Sequence, residues 1–582
     1  MYEFETYFTE KKIIRLIARY RISVANKRHD IHILNGIRTK TNVVNPIEAT
    51  RNKIDTIILK IIPPRRKWVK FSKKNRASYE NSTKLNIASL EKAILYYHKR
   101  VLNGKESQIQ PWYIELQKFL KQIQDSFHNI ENYNIDEPTI FPEKKEKEAE
   151  KDYIPCRPIA HYKLLSDKIL IGQTAKYLTD NLDSEFYDSS VFAFRSARNK
   201  STVITHHDTV TKIEDYINNS TGKEFWVSEC DIRKFYDCVN HSYAKEALNE
   251  ISIRFEKRTG AKINDKSIAI FNKYLDSYSF NYKVLPKNTS EEMLKINGKY
   301  EWAEDGLKSE FYNNGINEPI GVPQGGAISC LIANLMLDKV DRSVINFNED
   351  EDKNLLYMRY CDDMIIIHTE KKQCTEALNR YMTSLKNCNL LCHPPILVEK
   401  YSQNFWESKS KLPYRWGKKS EGNVPWVSFV GYQIQYDGQI RIRKKSLKKE
   451  ILKQKKIIDN IGYAIKIHQK ENLHLNSRRT KKQIIYRAEQ KLIAISVGRV
   501  NLRNLTQNPT DKPSWTIGFK KLNKNNIVEK QLKRLDRNRT HVMKKLKKHL
   551  QNLKLKNEGT GKKSTERFFG SPFSYHNFIL RK

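Results

Sequence analysis

Apolar and polar positions divide the chain into three regions with different periods. Beyond residue 441, apolar residues recur at helical spacing in three runs: Leu447, Ile451, Ile458, Ile461 and Ile465; Ile485, Ala488, Leu492 and Ile495; then Leu532, Leu535, Val542, Leu546, Leu550 and Leu553. The spacing predicts three amphipathic helices with Lys/Arg outer faces. From 151 to 440 short apolar runs alternate with helical stretches, as in an α+β domain, and the Asn-, Glu- and Gly-rich stretch 285–318 reads as surface loop. Residues 1–141 mix helical periodicity with basic clusters. One of these, Arg65-Arg66-Lys67-Trp68-Val69-Lys70-Phe71, follows Pro63-Pro64 and suits phosphates with stacked bases, or a solvated strand beside a proline turn. The mixed-charge run 142–152 has little to bury and reads as a linker or exposed helix, so a boundary is expected near 150.

Composition narrows the class. The 582 residues are 39% hydrophobic and 10% aromatic, enough for packed cores and against wholesale disorder. No run approaches the roughly 18 apolar residues of a spanning helix, and the start MYEFETYFTE is acidic where a signal peptide is basic, so a cytoplasmic protein with no membrane partner is expected. The eight cysteines form no CxxC pair and read as core thiols; Cys374, Cys388, Cys392 and His393 are spaced too irregularly to favour zinc. The net charge of +40 is uneven: residues 441–582 hold 39 basic against 9 acidic side chains, residues 1–150 hold 29 against 18, and the middle 38 against 39. Such basic flanks call for an anionic polymer.

Three segments of the neutral middle carry candidate chemistry. Trp226-Val-Ser-Glu-Cys-Asp231 is an apolar, β-prone run ending in a carboxylate. Tyr357-Met-Arg-Tyr360-Cys361-Asp362-Asp363-Met364-Ile-Ile-Ile367 sets two adjacent carboxylates at a hairpin turn, where they repel unless solvent or a cation compensates. Beside Asp231 they would offer hard oxygen ligands to divalent ions. Ile320-Gly-Val-Pro-Gln324-Gly325-Gly326-Ala327 is a glycine-rich turn entering an apolar helix. Each alone has an ordinary structural explanation as a cap, a turn or a helix start; their order and spacing together point further.

Taken in that order, the segments resemble the reverse transcriptases: Asp231-Ile-Arg-Lys-Phe-Tyr236-Asp is similar to their first palm motif, Val322-Pro-Gln-Gly to the second and Tyr360-Cys-Asp-Asp to the third. Ile396-Leu-Val-Glu-Lys400 resembles the lysine-bearing fourth motif, and Phe429-Val430-Gly431-Tyr432 the primer grip, while Arg157-Pro-Ile, Asp167-Lys-Ile-Leu and Val191-Phe-Ala-Phe-Arg195 resemble fingers motifs. The resemblance covers about 155–445. It implies an α+β right-hand polymerase: a basic helical N-terminal region (1–150), fingers (151–220), palm (221–440), and a basic helical thumb and C-terminal extension (441–582). It makes Asp231, Asp362 and Asp363 the catalytic carboxylates on two Mg²⁺ ions, with Mn²⁺ as substitute and the Ile232 carbonyl as a further ligand. Arg157 and Arg195 would hold the triphosphate, Gln324 and Gly325 border the templating pair, Tyr236 crowd the ribose 2′-hydroxyl, and Lys400 protonate pyrophosphate.

Neither a maturase segment nor a Val-Thr-Gly signature follows the palm, so the chain is most similar to bacterial antiviral, abortive-infection reverse transcriptases. That implies dNTPs as substrates, a non-coding RNA template, a DNA product, and a companion protein or second copy as partner. The neighbouring readings are template-independent or protein-primed DNA synthesis, for which Tyr575 in the C-terminal tail is the candidate hydroxyl, and a catalytically inactive RNA-binding scaffold. RNA-directed RNA polymerases usually have Gly-Asp-Asp where this chain has Tyr-Cys-Asp-Asp.

Overall fold

The structure, a computed structural model, describes residues 2–35, 54–79, 81–146, 148, 150–196, 204–313, 315–345, 352, 354–398, 403–470, 481–498, 500–501, 506–507, 514–551 and 573–580. They fall into two compact units, one of residues 1–13, 117–430 and 435–438, the other of residues 14–116, 431–434 and 439–582.

In the first unit, β1 (Thr139–Lys144) pairs antiparallel with β2 (Ile154–His161), and a three-residue strand β4 (Gly298–Tyr300) adds parallel to the other edge of β2. Residues 142–144, expected in a linker, are therefore strand: their order comes from the facing residues 156–158, which a local charge pattern cannot reveal. Likewise the stretch 285–318 is not a simple surface loop. It supplies β4, and its Met293 and Tyr300 join Ile140, Cys156, Tyr278 and Phe280 in one apolar cluster.

The central sheet has the order β5-β6-β3-β7, with β3 (Phe225–Asp231) between β6 (Asp363–His368) and β7 (Lys411–Trp416), and β5 (Leu356–Tyr360) forming a hairpin with β6. All these pairings are antiparallel. The unbroken run Met364-Ile-Ile-Ile367 is buried, as a strand covered on both faces requires. The helix Lys371–Asn387 packs on β3, β6 and β7, and the helix Ala327–Ile345 packs on that helix and on Leu165–Leu182. Ala327–Ile345 buries Ile328, Leu331, Ile332, Leu335, Met336, Val340 and Val344, apolar nearly all round because it lies in the core.

In the second unit, the helices Lys444–Lys470, Lys481–Val497 and Asn526–Gln551 occupy the three periodic runs. Ile458, Ile461 and Ile465 meet Ile484, Ala488 and Leu492 and then Val542, Leu546 and Leu550 in one core. The outer faces carry the charge: Lys444, Lys445, Lys448, Lys449, Lys455 and Lys456 on the first helix, and Lys530, Lys533, Arg534, Arg537, Lys544 and Lys548 on the last, are exposed. Leu553 lies outside the described residues.

Tyr575 is not an exposed priming hydroxyl. It is fully buried, donates to Glu450 Oε1 at 2.5 Å and accepts from Gln454 Nε2 at 2.9 Å, tying residues 573–580 to the helices. Trp68 is also no stacking platform: it is buried, with Nε1 donating to the Pro63 carbonyl at 3.0 Å, while Arg65–Lys67 form a single exposed 3₁₀ turn. Among the described residues no helix is long and apolar enough to cross a membrane.

Candidate active site

The sheet delivers the carboxylates by register. β3 and β6 pair so that Asp231 faces Asp363, and the two-residue turn Cys361-Asp362 joins β5 to β6. Cys361 takes φ 62°, a left-handed conformation that costs a β-carbon-bearing residue about 1 kcal/mol. That strain is held in place by Arg359, whose Nη1 donates to the Cys361 carbonyl at 2.9 Å. The Arg359 guanidinium is itself locked: it is fully buried and forks onto Asp341 at 2.8 and 2.6 Å, and Asp341 also accepts from the Tyr357 hydroxyl at 2.6 Å. A buried bidentate pair thus ties the hairpin tip to the helix Ala327–Ile345.

Asp231 and Asp362 open onto one cleft of 1080 Å³, which is also lined by Ile232, Tyr236, Gln324 and Arg157. Asp363 is exposed beside them. Burial lifts the Asp231 pKa above the ordinary carboxylate range; the charge of Asp362 adds to the rise and Lys409 and Lys411 oppose it. The Tyr236 hydroxyl lies 3.3 Å from Cys361 Sγ, so this ring is seated against the hairpin tip.

The glycine-rich turn closes another side. Gln324 bridges to Ile159 of β2, and its Nε2 donates to Asp237 Oδ1 at 2.8 Å; burial raises the Asp237 pKa to about 6. Gly321 has φ 95°, and a β-carbon there would meet Phe280 Cβ at 2.5 Å, so only glycine fits. Gly325 has φ 90° and open space around it.

Several lining groups were not singled out by sequence reasoning. Lys145, Lys151, Lys234, Lys299 and Lys409 face the cleft together with Arg157 and Arg233, and Glu301 and Trp302 form part of its wall. Burial, followed by the charges of Lys234 and Arg157, lowers the Lys145 pKa to about 8. Burial alone would raise Glu301, but hydrogen bonds from Lys151 and Lys234 hold it down to about 2. With 106 basic residues in the chain, no linear signal marks these lysines.

Arg195 does not reach the cleft: its side chain is 1% exposed, and its guanidinium is taken up by Asp183, Asp188 and the carbonyls of Tyr187, Val191 and Phe186. It anchors the fold instead of presenting a free fork to an anion. Lys400 lies outside the described residues. Phe429 ends the strand β8 (Trp426–Phe429), Val430 and Gly431 turn at φ 43° and 93°, and Tyr432 begins β9 (Tyr432–Gln435), which pairs with β10 (Ile440–Ile442).

Among the described residues no three or more His, Cys, Asp or Glu side chains stand close enough to hold a metal ion. Cys374 and Cys388 are instead buried thiols donating to Ser228 Oγ and the Met336 carbonyl. Asp231 and Asp362 put two carboxylates on one cleft, the charge of Asp362 adding to the raised pKa of Asp231, with Asp363 opposite Asp231 in register; carboxylate oxygens are the kind of donor a hard cation takes.

Residues 154–395 match the family model described as reverse transcriptase (RNA-dependent DNA polymerase), so the chain carries a reverse-transcriptase-like domain. No curated protein matches the chain. Similar solved structures include telomerase from Candida albicans in complex with a TWJ fragment of telomeric RNA, at 10% identity over 88% of this chain and 86% of that one, with TM-score 0.31. Apo telomerase from Candida tropicalis is similar at 9% identity over 92% of this chain and 85% of that one, with TM-score 0.34.

The Arg359–Asp341 pair makes a prediction about stability. Arg359→Met leaves the Asp341 carboxylate buried without its counter-charge and lowers the free energy of urea unfolding by about 3–5 kcal/mol. A loss below about 1 kcal/mol would show that the pair does not hold the hairpin.

Proposed function

We propose that the chain is an RNA-directed DNA polymerase that adds dNTPs to a 3′-hydroxyl. The observation that carries this reading is the opening of Asp231 and Asp362 onto one cleft flanked by Arg157, Lys145 and Lys234, with Asp363 opposite Asp231 in the sheet. Asp231, Asp362, Asp363 and the Ile232 carbonyl would hold two Mg²⁺ ions, which when bound supply activation of the hydroxyl and charge stabilisation at the leaving pyrophosphate.

The chain's own groups do the rest. Arg157, Lys145 and Lys234 neutralise and orient the triphosphate, roles for which a fork and two ammonium groups on one wall are suited. Tyr236, seated against the hairpin tip, would crowd the ribose 2′-hydroxyl, and Gln324 and Gly325 would border the templating pair. The primer would rest on Phe429-Val430-Gly431-Tyr432. Lys400 remains, by resemblance, the proton donor to pyrophosphate. Fingers at 151–220, palm at 221–440 and thumb from 441 complete this reading. The lysines of Lys444–Lys470 and Asn526–Gln551 would hold structured RNA or duplex through phosphates. A cytoplasmic setting is proposed from the apolar pattern of the sequence, and phage defence and a non-coding RNA template from the resemblance alone.

Asp362→Asn with Asp363→Asn is expected to lower Mg²⁺-dependent dNTP incorporation by about 10²–10³-fold or more while circular dichroism and RNA binding stay at wild-type levels. Unchanged incorporation would refute the assignment and leave an RNA-binding scaffold as the better reading.

Lys145 adds a pH dependence. Its ammonium is present below a pKa of about 8 and is lost as pH rises through that value, so KM for dNTP should climb between pH 7 and 9. In Lys145→Arg, charged throughout, that climb should flatten. Identical KM–pH profiles in the two proteins would remove Lys145 from the triphosphate site.

A further inference from the structure

We propose that Lys409 is the resident counter-cation of the Asp231 carboxylate and competes with a divalent ion for it, so that metal loading requires the ammonium to give way. This inference rests on the reading of Asp231 as a metal ligand.

Lys409 Nζ lies 3.8 Å from Asp231 Oδ2, His393 Nε2 lies 3.8 Å from the same oxygen, and the two nitrogens are 3.0 Å apart. The three groups form a closed triangle on the wall of the cleft that Asp362 also faces. Both partner segments are fastened to β3 through its backbone: the His393 N–H donates to the Asp231 carbonyl at 2.9 Å, and the Asp231 N–H donates to Ser410 Oγ at 3.0 Å. The attachment points are therefore fixed, whereas the Lys409 side chain is 58% exposed and free to swing on its four-carbon stem.

The neighbouring cations are engaged elsewhere. Lys411 pairs with Glu229 at 2.6 Å and Lys234 with Glu301 at 3.1 Å. Among the described residues, the cation paired with the Asp231 carboxylate is Lys409, beside the His393 ring, which is charged only if protonated. An ammonium and a divalent ion on one carboxylate oxygen repel each other, so occupancy by one opposes the other. The pair is long and half-exposed, and contributes little to folding. Its consequence is for what else can sit on Asp231.

The test is Mn²⁺ binding followed by electron paramagnetic resonance at fixed ionic strength, without nucleotide or nucleic acid, on the full chain and on Asp231→Asn, Lys409→Met, Lys409→Gln and Lys409→Arg. Asp231→Asn should weaken binding. Lys409→Met and Lys409→Gln should each bind Mn²⁺ about two- to fivefold more tightly, the scale of one half-exposed charge pair. Lys409→Arg, which keeps the cation, should match wild type. A merely structural lysine would give the opposite sign, weaker binding with a lower melting temperature, and the Gln variant keeps the test open if the Met variant folds poorly. Binding that depends on Asp231 but is unchanged or weaker in both neutral Lys409 variants overturns the competition and leaves the metal site standing. Binding absent from wild type, or indifferent to Asp231→Asn, overturns both the competition and the metal-ligand reading beneath it.

Discussion

The buried ion pair between Arg359 and Asp341 is the constraint on which the site depends. Burying two charges is costly, and the cost is offset only when geometry and hydrogen bonding are nearly complete. Here they are: the guanidinium forks onto Asp341, Tyr357 donates to the same carboxylate, and Arg359 Nη1 donates to the carbonyl of Cys361 and to Asn334 Oδ1. A turn residue at φ 62° is thereby fixed between two strands, and the carboxylates of Asp362 and Asp363 inherit its position. The antiparallel register of β3 with β6 then needs only to be correct by one residue for Asp231 to arrive opposite Asp363.

Around that point acids and bases share one cleft. Asp231 and Asp362 line it together with Lys145, Arg157, Lys234 and Lys299 and with the further carboxylates Glu148, Asp237, Glu301, Glu304 and Asp305. Burial, and after it the charges of Lys234 and Arg157, lowers the pKa of Lys145, and Glu301 restrains Lys151 and Lys234. An anionic ligand entering here would relieve repulsion among the cations, and a divalent ion would relieve it among the acids. In the second unit the exposed lysines and arginines of Lys444–Lys470 and Asn526–Gln551 lie on the outer faces of helices whose inner faces form a core of Ile, Leu and Val.

What was legible in the sequence is what is contiguous in it. Asp231 at the end of an apolar run, the Asp pair between two strand-like halves and the three periodic helices each declare themselves within a dozen residues. Features made by distant partners did not. β1 rises out of a charged run because β2 lies beside it, and β4 is three residues long. Arg195 reads like any anion-binding arginine until its acceptors from residues 183–191 are seen around it, and Tyr575 looks exposed until Glu450 and Gln454 close over it. Lys409 and Lys145 are two among many lysines, and only the fold selects them.

The central claim is that this cleft copies RNA into DNA. It is tested most directly by giving the purified protein a defined RNA template with an annealed primer, Mg²⁺ and all four dNTPs, and sequencing whatever DNA is made. The account predicts DNA complementary to the supplied RNA, abolished by RNase treatment of the template beforehand. DNA of unrelated sequence that survives that treatment, or no DNA at all, would contradict it.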